Sequence, residues 1–252
     1  VWFMRQAGRS LPEYRAIRGE GSILDAIKKP DLAAEITLQP VRRYGVDAAI
    51  LYSDIVVPVH AVGFGVDIKP GVGPVAEQPF STAADLDRLP PLDPASDTPY
   101  VLETIQNLVA ELDVPLIGFA GAPFTVASYL IEGGPSRNYH KTKALMMGDP
   151  ALWSLLMERL SSIALASLTS QIGAGASAVQ LFDSWAGALS PKQYERFVFP
   201  WIEHIFSELA TFAVPTIHFG VNTGELLHLM NKAGPTVLGI DWRVPIGTAR
   251  DR

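Results

Sequence analysis

Short apolar runs that each precede a helical pattern recur along the chain, and they constrain its fold more than any other feature. The runs are rich in Val, Ile, Leu and Phe and lack polar alternation, which is typical of strands buried on both faces. Buried strands joined by helices predict a parallel α/β sheet with right-handed crossovers. The series fits either a doubly wound sheet or most of a (β/α)8 barrel. The predicted strands cover residues 1–4, 48–52, 115–120, 178–182, 215–219 and 236–240.

Helical patterns fill the segments between these runs. Asp31 and Ser190 are predicted to cap two of the helices, and Pro191 suits a first helical turn. Residues 66–75 interrupt the alternation and indicate two short strands around a Pro/Gly turn, while residues 81–99, rich in Asp and Pro, predict a surface loop. Neither segment has the composition of a linker, so residues 1–252 are predicted to form one domain. The predicted helices cover residues 30–44, 98–112, 138–148, 150–173, 191–212 and 224–233.

Composition excludes several kinds of protein. The chain has no cysteine, which excludes disulfides, Fe–S clusters, thiolate zinc sites and cysteine nucleophiles, and which fits a reducing compartment such as the cytoplasm. Arg5 and Arg9 interrupt any signal peptide, and no apolar run is expected to be long enough to span a membrane. A pI near 5.4 argues against nucleic acid as a general partner.

Four arginines, Arg5, Arg9, Arg15 and Arg18, cluster near the start of a chain whose net charge is −6. Guanidinium groups stay charged and bind carboxylate or phosphate through two parallel hydrogen bonds. The cluster therefore predicts a ligand with several negative groups, the alternative being a solvated helix face. Gly8 favours the first interpretation, because a glycine lets backbone approach a ligand closely.

Functional residues of a parallel sheet are expected just beyond the carboxyl ends of its strands. Asp54 follows one predicted strand, where its carboxylate would accept several hydrogen bonds or act as acid or base, or else cap the next helix. The small residues at 118–122 would either admit a flat ligand or allow tight strand–helix packing. Tyr129 is either a ligand contact or a core tyrosine.

Two further strand ends carry polar groups. Asp183 and Ser184 follow the run 178–182 and are candidate hydrogen-bonding groups, but the surrounding sequence lacks the G-x-S-x-G pattern of a hydrolase nucleophile. His218 lies within an apolar run, where a histidine is expected to belong to the core. No spacing in the chain predicts a metal or nucleotide site.

Taken together, the motifs at residues 4–15, 53–55, 118–125, 182–187 and 238–243 resemble those of the uroporphyrinogen decarboxylase family. The resemblance covers the chain in family order. It implies a (β/α)8 barrel that decarboxylates the four acetate side chains of uroporphyrinogen III to give coproporphyrinogen III in haem biosynthesis. It further implies no metal or organic cofactor, a cytoplasmic homodimer, and no nucleic-acid or membrane partner.

The resemblance also implies roles for particular residues. Arg5 and Arg9 would hold substrate carboxylates and take part in catalysis, and Asp54 would accept hydrogen bonds from the pyrrole N–H groups and stabilise a ring protonated at carbon. That protonated ring is the electron sink that takes up the electron pair when CO2 leaves the acetate side chain. The implied substrate-binding residues are Arg5, Gln6, Ala7, Gly8, Arg9, Arg18, Asp54, Tyr129 and Ser184.

The chain departs from the family pattern at both ends. Family members begin before Val1 and continue past Arg252 through about two further strand–helix units, including a Gly-His-Gly segment whose histidine contacts substrate. Position 10 is Ser where the family has Tyr. The expectation is therefore a C-terminally truncated barrel with about six of its eight units. Two alternatives stay open: a cobalamin or thiol methyltransferase of the same superfamily, which would need a cysteine–histidine zinc site, and an inactive porphyrinogen-binding fragment.

Overall fold

A computed structural model describes residues 11–69 and 71–250 of the chain. Five of the strands form one parallel sheet in the order β1-β4-β5-β6-β7, and β2 and β3 form an antiparallel hairpin. The strands are β1 (Ala49–Ile50), β2 (Val66–Lys69), β3 (Gly73–Ala76), β4 (Leu116–Gly121), β5 (Ala178–Asp183), β6 (Thr216–Gly220) and β7 (Val237–Gly239).

This arrangement confirms the predicted parallel α/β fold. Five of the six predicted parallel strands are present and so is the predicted hairpin, whereas the predicted strand at residues 1–4 lies outside the described residues. Successive parallel strands are neighbours throughout the sheet, without the reversal of strand order that defines a doubly wound fold. The order is therefore that of a (β/α)8 barrel, and its described part is an open sheet.

Helices flank the sheet, and most of them begin with proline in the first turn, where its missing N–H costs no hydrogen bond. Three short 3-10 turns cover Ala83–Arg88, Ala186–Ala188 and Gly224–Leu226. The α-helices are α1 (Pro12–Arg18), α2 (Ile23–Ile27), α3 (Pro30–Tyr44), α4 (Val57–Ala61), α5 (Pro94–Asp97), α6 (Pro99–Glu111), α7 (Pro123–Glu132), α8 (His140–Gly148), α9 (Pro150–Ala174), α10 (Pro191–Phe197), α11 (Phe199–Leu209), α12 (Leu227–Lys232) and α13 (Ile246–Arg250).

The structure corrects two helix predictions. The predicted helix at 191–212 is two helices that meet at Val198, because Pro200 lacks an N–H and its ring opposes continuation of the preceding helix. Asp31 is not a cap, since Pro30 takes the first helical position and Lys29 is the capping residue. Ser190 is a cap as predicted: its hydroxyl accepts the Gln193 N–H at 3.3 Å.

The segment at 81–99 is more ordered than the predicted surface loop. It contains the 3-10 turn Ala83–Arg88 and helix α5, and its own Leu89 and Leu92 are buried in the core. Its aspartates explain the difference, because Asp85 and Asp93 accept backbone N–H groups at the starts of these two elements. Acidic residues that suggested a solvated loop are therefore capping residues.

We expect Asp85→Asn to destabilise the fold by about 1–2 kcal/mol at pH 7. Burial acts to raise the pKa of Asp85, but hydrogen bonds from the Ser81 and Thr82 N–H groups and from Arg88 lower it to about 2. Because this folded-state pKa lies below the unfolded value of about 3.9, the stabilisation is complete above the unfolded value and is lost as the pH falls toward 2.

Urea unfolding of wild type and Asp85→Asn at pH 7, 5 and 3.5 measures this effect. The difference in free energy of unfolding should hold at pH 7 and 5 and shrink at pH 3.5. Asp87→Asn, at a neighbouring exposed carboxylate, is the matched control and should match wild type. Equal midpoints for wild type and Asp85→Asn at pH 7 would contradict the assignment.

The sheet has two faces with separate apolar clusters. The main core lies between the sheet and the helices and contains Leu116, Val179 and Leu181. A smaller cluster lies on the opposite face and consists of Ala48, Ile117, Ala178 and Ile217, with Ile50 packed against it. In a barrel this second face is the interior, so side chains on it point toward the barrel axis.

Helix α9 supports the centre of the sheet. It packs against β4, α7 and α11. By length and composition alone it is apolar enough to cross a membrane, contrary to the sequence-based expectation, but half of its most apolar window is buried inside the fold. Its apolar residues therefore serve the core.

A glutamine of α9 takes the place of a strand beside β4. The Leu51 N–H donates to the Ile117 carbonyl at 3.1 Å, and β1 ends there. The Phe119 N–H donates to Gln171 Oε1 at 2.8 Å, and Gln171 Nε2 donates to the Phe119 carbonyl at 2.9 Å. The side-chain amide thus satisfies the backbone groups of β4 beyond the last residue of β1.

Candidate functional site

The carboxyl end of β1 is fixed to two helices. The Tyr52 N–H donates to Thr37 Oγ1 of α3 at 2.9 Å, and Thr37 in turn donates to the Ala33 carbonyl. The hydroxyls of Tyr52 and Tyr14 of α1 lie 3.4 Å apart. Burial raises the pKa of Tyr52, and its contact with Tyr14 raises it further, so the phenol stays protonated. The segment that leads to Asp54 therefore has a defined position.

Asp54 stands half-buried just past this strand end. Its Oδ1 accepts the Val56 N–H at 3.1 Å, and its carbonyl accepts the Val57 N–H at 3.2 Å. These bonds form the turn that leads into α4, but the capping residue of that helix is Val56, so Asp54 is not the helix cap that the sequence left open. The same bonds fix the carboxylate at the end of β1.

Of the arginine motif at residues 4–15, the structure describes residues 11–15. Arg5, Gln6, Ala7, Gly8 and Arg9 lie outside the described residues. Leu11, two positions after Arg9, is buried. The chain then enters α1, whose Tyr14 contacts the end of β1.

Arg18 is the last residue of α1 and lies near Tyr52, which follows β1. Its guanidinium donates to the carbonyls of Gly19 at 3.2 Å and Gly21 at 2.8 Å, and its charge lies close enough to lower the pKa of Tyr52. Arg18 is therefore beside the end of β1, where it also stabilises its own turn.

Tyr129 and Ser184 are brought together through Trp185. The Tyr129 ring of α7 packs on the indole of Trp185, with centroids 3.8 Å apart and planes inclined by 34°. Tyr139 contacts the same indole at 4.9 Å. Since Ser184 follows β5 directly and precedes Trp185 in the chain, the contact with the indole places the Tyr129 ring of α7 near the segment that carries Ser184. Sequence reasoning missed Trp185 as the link.

The small residues of β4 serve packing. A Cβ added to Gly118 would lie 2.4 Å from Gln171 Oε1, and one added to Gly121 would lie 2.6 Å from a Val126 methyl and 3.0 Å from Ile55 Cβ. Of the two interpretations left open, the structure therefore supports tight strand–helix packing rather than a wall that admits a ligand.

Three phenylalanines form a ladder across adjacent strands. Phe119 and Phe182 have centroids 5.2 Å apart, and Phe182 and Phe219 are 5.9 Å apart, both nearly perpendicular. All three are partly exposed. They share the face of Ile117 and Ile217, because side chains two residues apart on a strand point the same way.

Sequence reasoning also missed this ladder. Each strand carries a phenylalanine near its carboxyl end, but only the register reveals that the rings meet. The result is a continuous apolar aromatic surface beside the ends of the strands.

A polar cluster is buried behind the strand ends, on the helix side. Asp183 and His218 are both fully buried, with Asp183 Oδ2 3.7 Å from His218 Nε2, and His218 packs against Phe206 of α11. His218 is thus a core residue, as expected. Burial raises the pKa of Tyr194 well above its ordinary value, and the charge of Asp183 adds to this effect. Within residues 11–69 and 71–250, no group of three metal-ligating side chains occurs.

Asp241 organises the last strand end. Its Oδ2 accepts the Asn222 N–H at 2.8 Å, and its Oδ1 accepts the Arg243 N–H at 3.0 Å. Burial opposes ionisation of Asp241, yet these bonds and the Arg243 guanidinium hold its pKa below the ordinary range. Asn222 has φ +59°, a conformation that asparagine tolerates better than most residues. Asp241 therefore ties the loop after β6 to the loop after β7.

The chain was compared with known proteins. The profile of the uroporphyrinogen decarboxylase family matches residues 1–252. Uroporphyrinogen decarboxylases from Salinispora tropica and Streptomyces griseus are each 62% identical to this chain over 253 residues. The matches cover 100% of this chain, 68% of the Salinispora protein and 69% of the Streptomyces protein. A relative of the same name from Thermobifida fusca is 61% identical.

A solved structure of a methyltransferase from Methanosarcina mazei superposes with a TM-score of 0.73 at 20% identity, covering 94% of this chain and 72% of that one. At this identity the likeness shows a shared fold. The family profile and the relatives together extend over every sequence motif named above, from the arginine segment to Asp241. The chain belongs to the uroporphyrinogen decarboxylase family.

Proposed function

We propose that this protein is a carboxy-lyase that decarboxylates uroporphyrinogen III to coproporphyrinogen III in haem biosynthesis. One observation carries the proposal: relatives named uroporphyrinogen decarboxylase are 55–62% identical to the chain across nearly its whole length. The distant methyltransferase does not favour the rival activity, and the chain lacks the cysteines that a methyltransferase zinc site of that type would need.

The chemistry requires a place for the electron pair left by CO2. A proton added to a pyrrole carbon makes the ring cationic, and the C–C bond to the carboxylate then breaks so that its electron pair enters the ring and leaves an exocyclic CH2 group. A second proton adds to that CH2 carbon and the first proton leaves the ring carbon, which restores the pyrrole and gives a methyl group. Each round takes up one proton and releases one CO2. Asp54 would accept the pyrrole N–H groups and stabilise the cation, a role supported by its fixed position at the end of β1.

The arginine segment would hold the substrate's carboxylates. Arg5 and Arg9 would form two-pronged bonds to them, with Gln6, Ala7 and Gly8 shaping the loop and Arg18 adding charge nearby. Their nearness to Asp54 is supported by the Tyr14–Tyr52 contact. Arg9 lies five positions before Tyr14, so their Cα atoms are at most about 18 Å apart.

The aromatic ladder suits the apolar core of a tetrapyrrole. Phe119, Phe182 and Phe219 offer partly exposed ring faces and edges next to the strand ends. Tyr129 of α7 and Ser184 after β5 would orient the reacting acetate. The phenylalanine rings would contact the apolar macrocycle of the substrate. The carboxylates at its rim would then meet the guanidinium groups.

We further propose that the enzyme is a cytoplasmic homodimer without a metal or organic cofactor. The absence of cysteine supports a reducing compartment. Light scattering coupled to size exclusion tests the dimer, and a monomeric mass at micromolar concentration would reject it.

Anaerobic incubation of the intact protein with uroporphyrinogen III tests the activity. Products oxidised to porphyrins and separated by carboxyl number should show seven-, six-, five- and four-carboxyl species in succession, unaffected by EDTA. Binding without any loss of carboxyl groups would favour the inactive binding protein. Methyl transfer that EDTA abolishes would favour the methyltransferase.

A further inference from the structure

One buried hydroxyl joins helix α7, which carries Tyr129, to the segment after β5, which carries Ser184. Thr125, in the first turn of α7, is fully buried. Its Oγ1 donates to Asp183 Oδ1 at 2.9 Å and accepts the Trp185 N–H at 3.2 Å. Because a backbone N–H only donates, the threonine hydrogen must point to the carboxylate. Both bonds are therefore fixed in direction.

These bonds span the candidate substrate residues. Thr125 and Tyr129 are one helical turn apart and share a face of α7. Asp183, Ser184 and Trp185 are consecutive, so Ser184 is attached to α7 through both of its neighbours. The indole of Trp185 then packs on Tyr129, which makes a second connection between the same two elements.

The Asp183 carboxylate, which accepts the Thr125 hydroxyl, is shielded from solvent. Asp183 is fully buried, and its other oxygen faces His218 Nε2 at 3.7 Å. Tyr194, also fully buried, lies close enough for the charge of Asp183 to raise its pKa. Surrounded in this way, Asp183 holds the threonine hydroxyl in one orientation, and a hydrogen bond in such surroundings is costly to leave unmade.

We propose that Thr125 is a positioning residue for decarboxylation, which sets the relative placement of Tyr129 and Ser184 through Asp183 and Trp185. The inference rests on the proposed function for its consequence in turnover. Thr125 acts through these neighbours and does not itself contact substrate. Since the arginine segment would supply most of the binding, misplacing Tyr129 and Ser184 should slow the chemical step more than it weakens binding.

The test compares Thr125→Val, which keeps the shape but removes the hydroxyl, with Thr125→Ser, which restores it. In the intact protein, Thr125→Val should lower kcat for uroporphyrinogen about 10–100-fold with KM changed less than about threefold. Thr125→Ser should recover most of kcat. Thr104→Val is the matched control, because Thr104 is equally buried but donates only to the Tyr100 carbonyl of its own helix, and it should leave kcat unchanged.

A spectroscopic readout separates this inference from the proposed function. With 5-fluorotryptophan incorporated, the Trp185 19F resonance, assigned through Trp185→Phe, should move in Thr125→Val and stay in Thr125→Ser and Thr104→Val. The resonances of Trp153 and Trp201 should not move in any of them. If Thr125→Val does not fold, Thr125→Ala removes the same hydroxyl and takes its place.

An unchanged Trp185 resonance together with unchanged kcat in Thr125→Val would overturn the inference, as would an equal loss of kcat in Thr104→Val. A wild-type protein that does not decarboxylate uroporphyrinogen, but whose Trp185 resonance responds as expected, would reject the proposed function and with it the role in decarboxylation. It would leave the structural link between α7 and β5 supported.

Discussion

Asp54→Asn is expected to lower kcat for uroporphyrinogen by about 100-fold or more while leaving the fold intact. Asparagine has the same shape, and its carbonyl oxygen still accepts the Val56 N–H, so the turn after β1 should persist. What is lost is the negative charge that would oppose the cationic pyrrole. A charged group that is already positioned where opposite charge develops in the transition state often makes the largest single contribution to the rate enhancement.

Steady-state turnover and thermal unfolding measure the two parts of this prediction. Asp87→Asn removes the same charge from an exposed site and should keep wild-type kcat. The melting temperature of Asp54→Asn should lie within a few degrees of wild type. If Asp54→Asn turned over at the wild-type rate, the proposed role of the carboxylate would have to be abandoned.

Gly187→Ala is expected to lower the free energy of unfolding by about 2–3 kcal/mol and to reduce kcat as well. An added Cβ would lie 2.3 Å from the Val221 carbonyl oxygen and 2.6 Å from that of Asn222. These are backbone atoms, so relief requires the turn after β5 to move away from the loop after β6. That turn carries Ser184 and Trp185, which links the stability effect to the site.

Chemical unfolding tests this against Gly173→Ala, where nothing lies within 4 Å of the added carbon and the residue is in helix α9. That substitution should be neutral or stabilise by up to about 1 kcal/mol. A Gly187→Ala protein as stable as wild type would show that the two loops are free to separate.

Much of the fold was predictable because strand and helix patterns are local. The apolar runs located β4, β5 and β6 to within a residue, and the helix at Pro30–Tyr44 was predicted exactly at its bounds. The misplaced features have local causes too. Proline decided the break at Val198 and the start of α3, where the general preference for an acidic cap at Asp31 was overridden.

The site was predictable only in part. The rule that functional groups stand at strand ends predicts Asp54 and Ser184 as candidates, and Tyr129 is a candidate as a polar group at the start of an apolar helix, but only the family resemblance implies that they bind substrate. The phenylalanine ladder depends on register, which no single run encodes. The Thr125–Asp183 bond joins residues 58 positions apart, and a buried threonine carries no signal of its partner.

The amide of Gln171 beside β4 has a consequence for how the family can vary. Because it bonds both the N–H and the carbonyl of Phe119, the pairing of β1 with β4 can end there without leaving these backbone groups unpaired. Since β1 ends at Ile50, the chain after the Leu51 N–H can diverge toward Asp54, while the backbone groups of Phe119 keep their hydrogen bonds. A change in the length or path of the segment between Leu51 and Asp54 should not alter the hydrogen bonds of the sheet. The position of the Asp54 carboxylate can therefore differ between family members while the sheet stays the same.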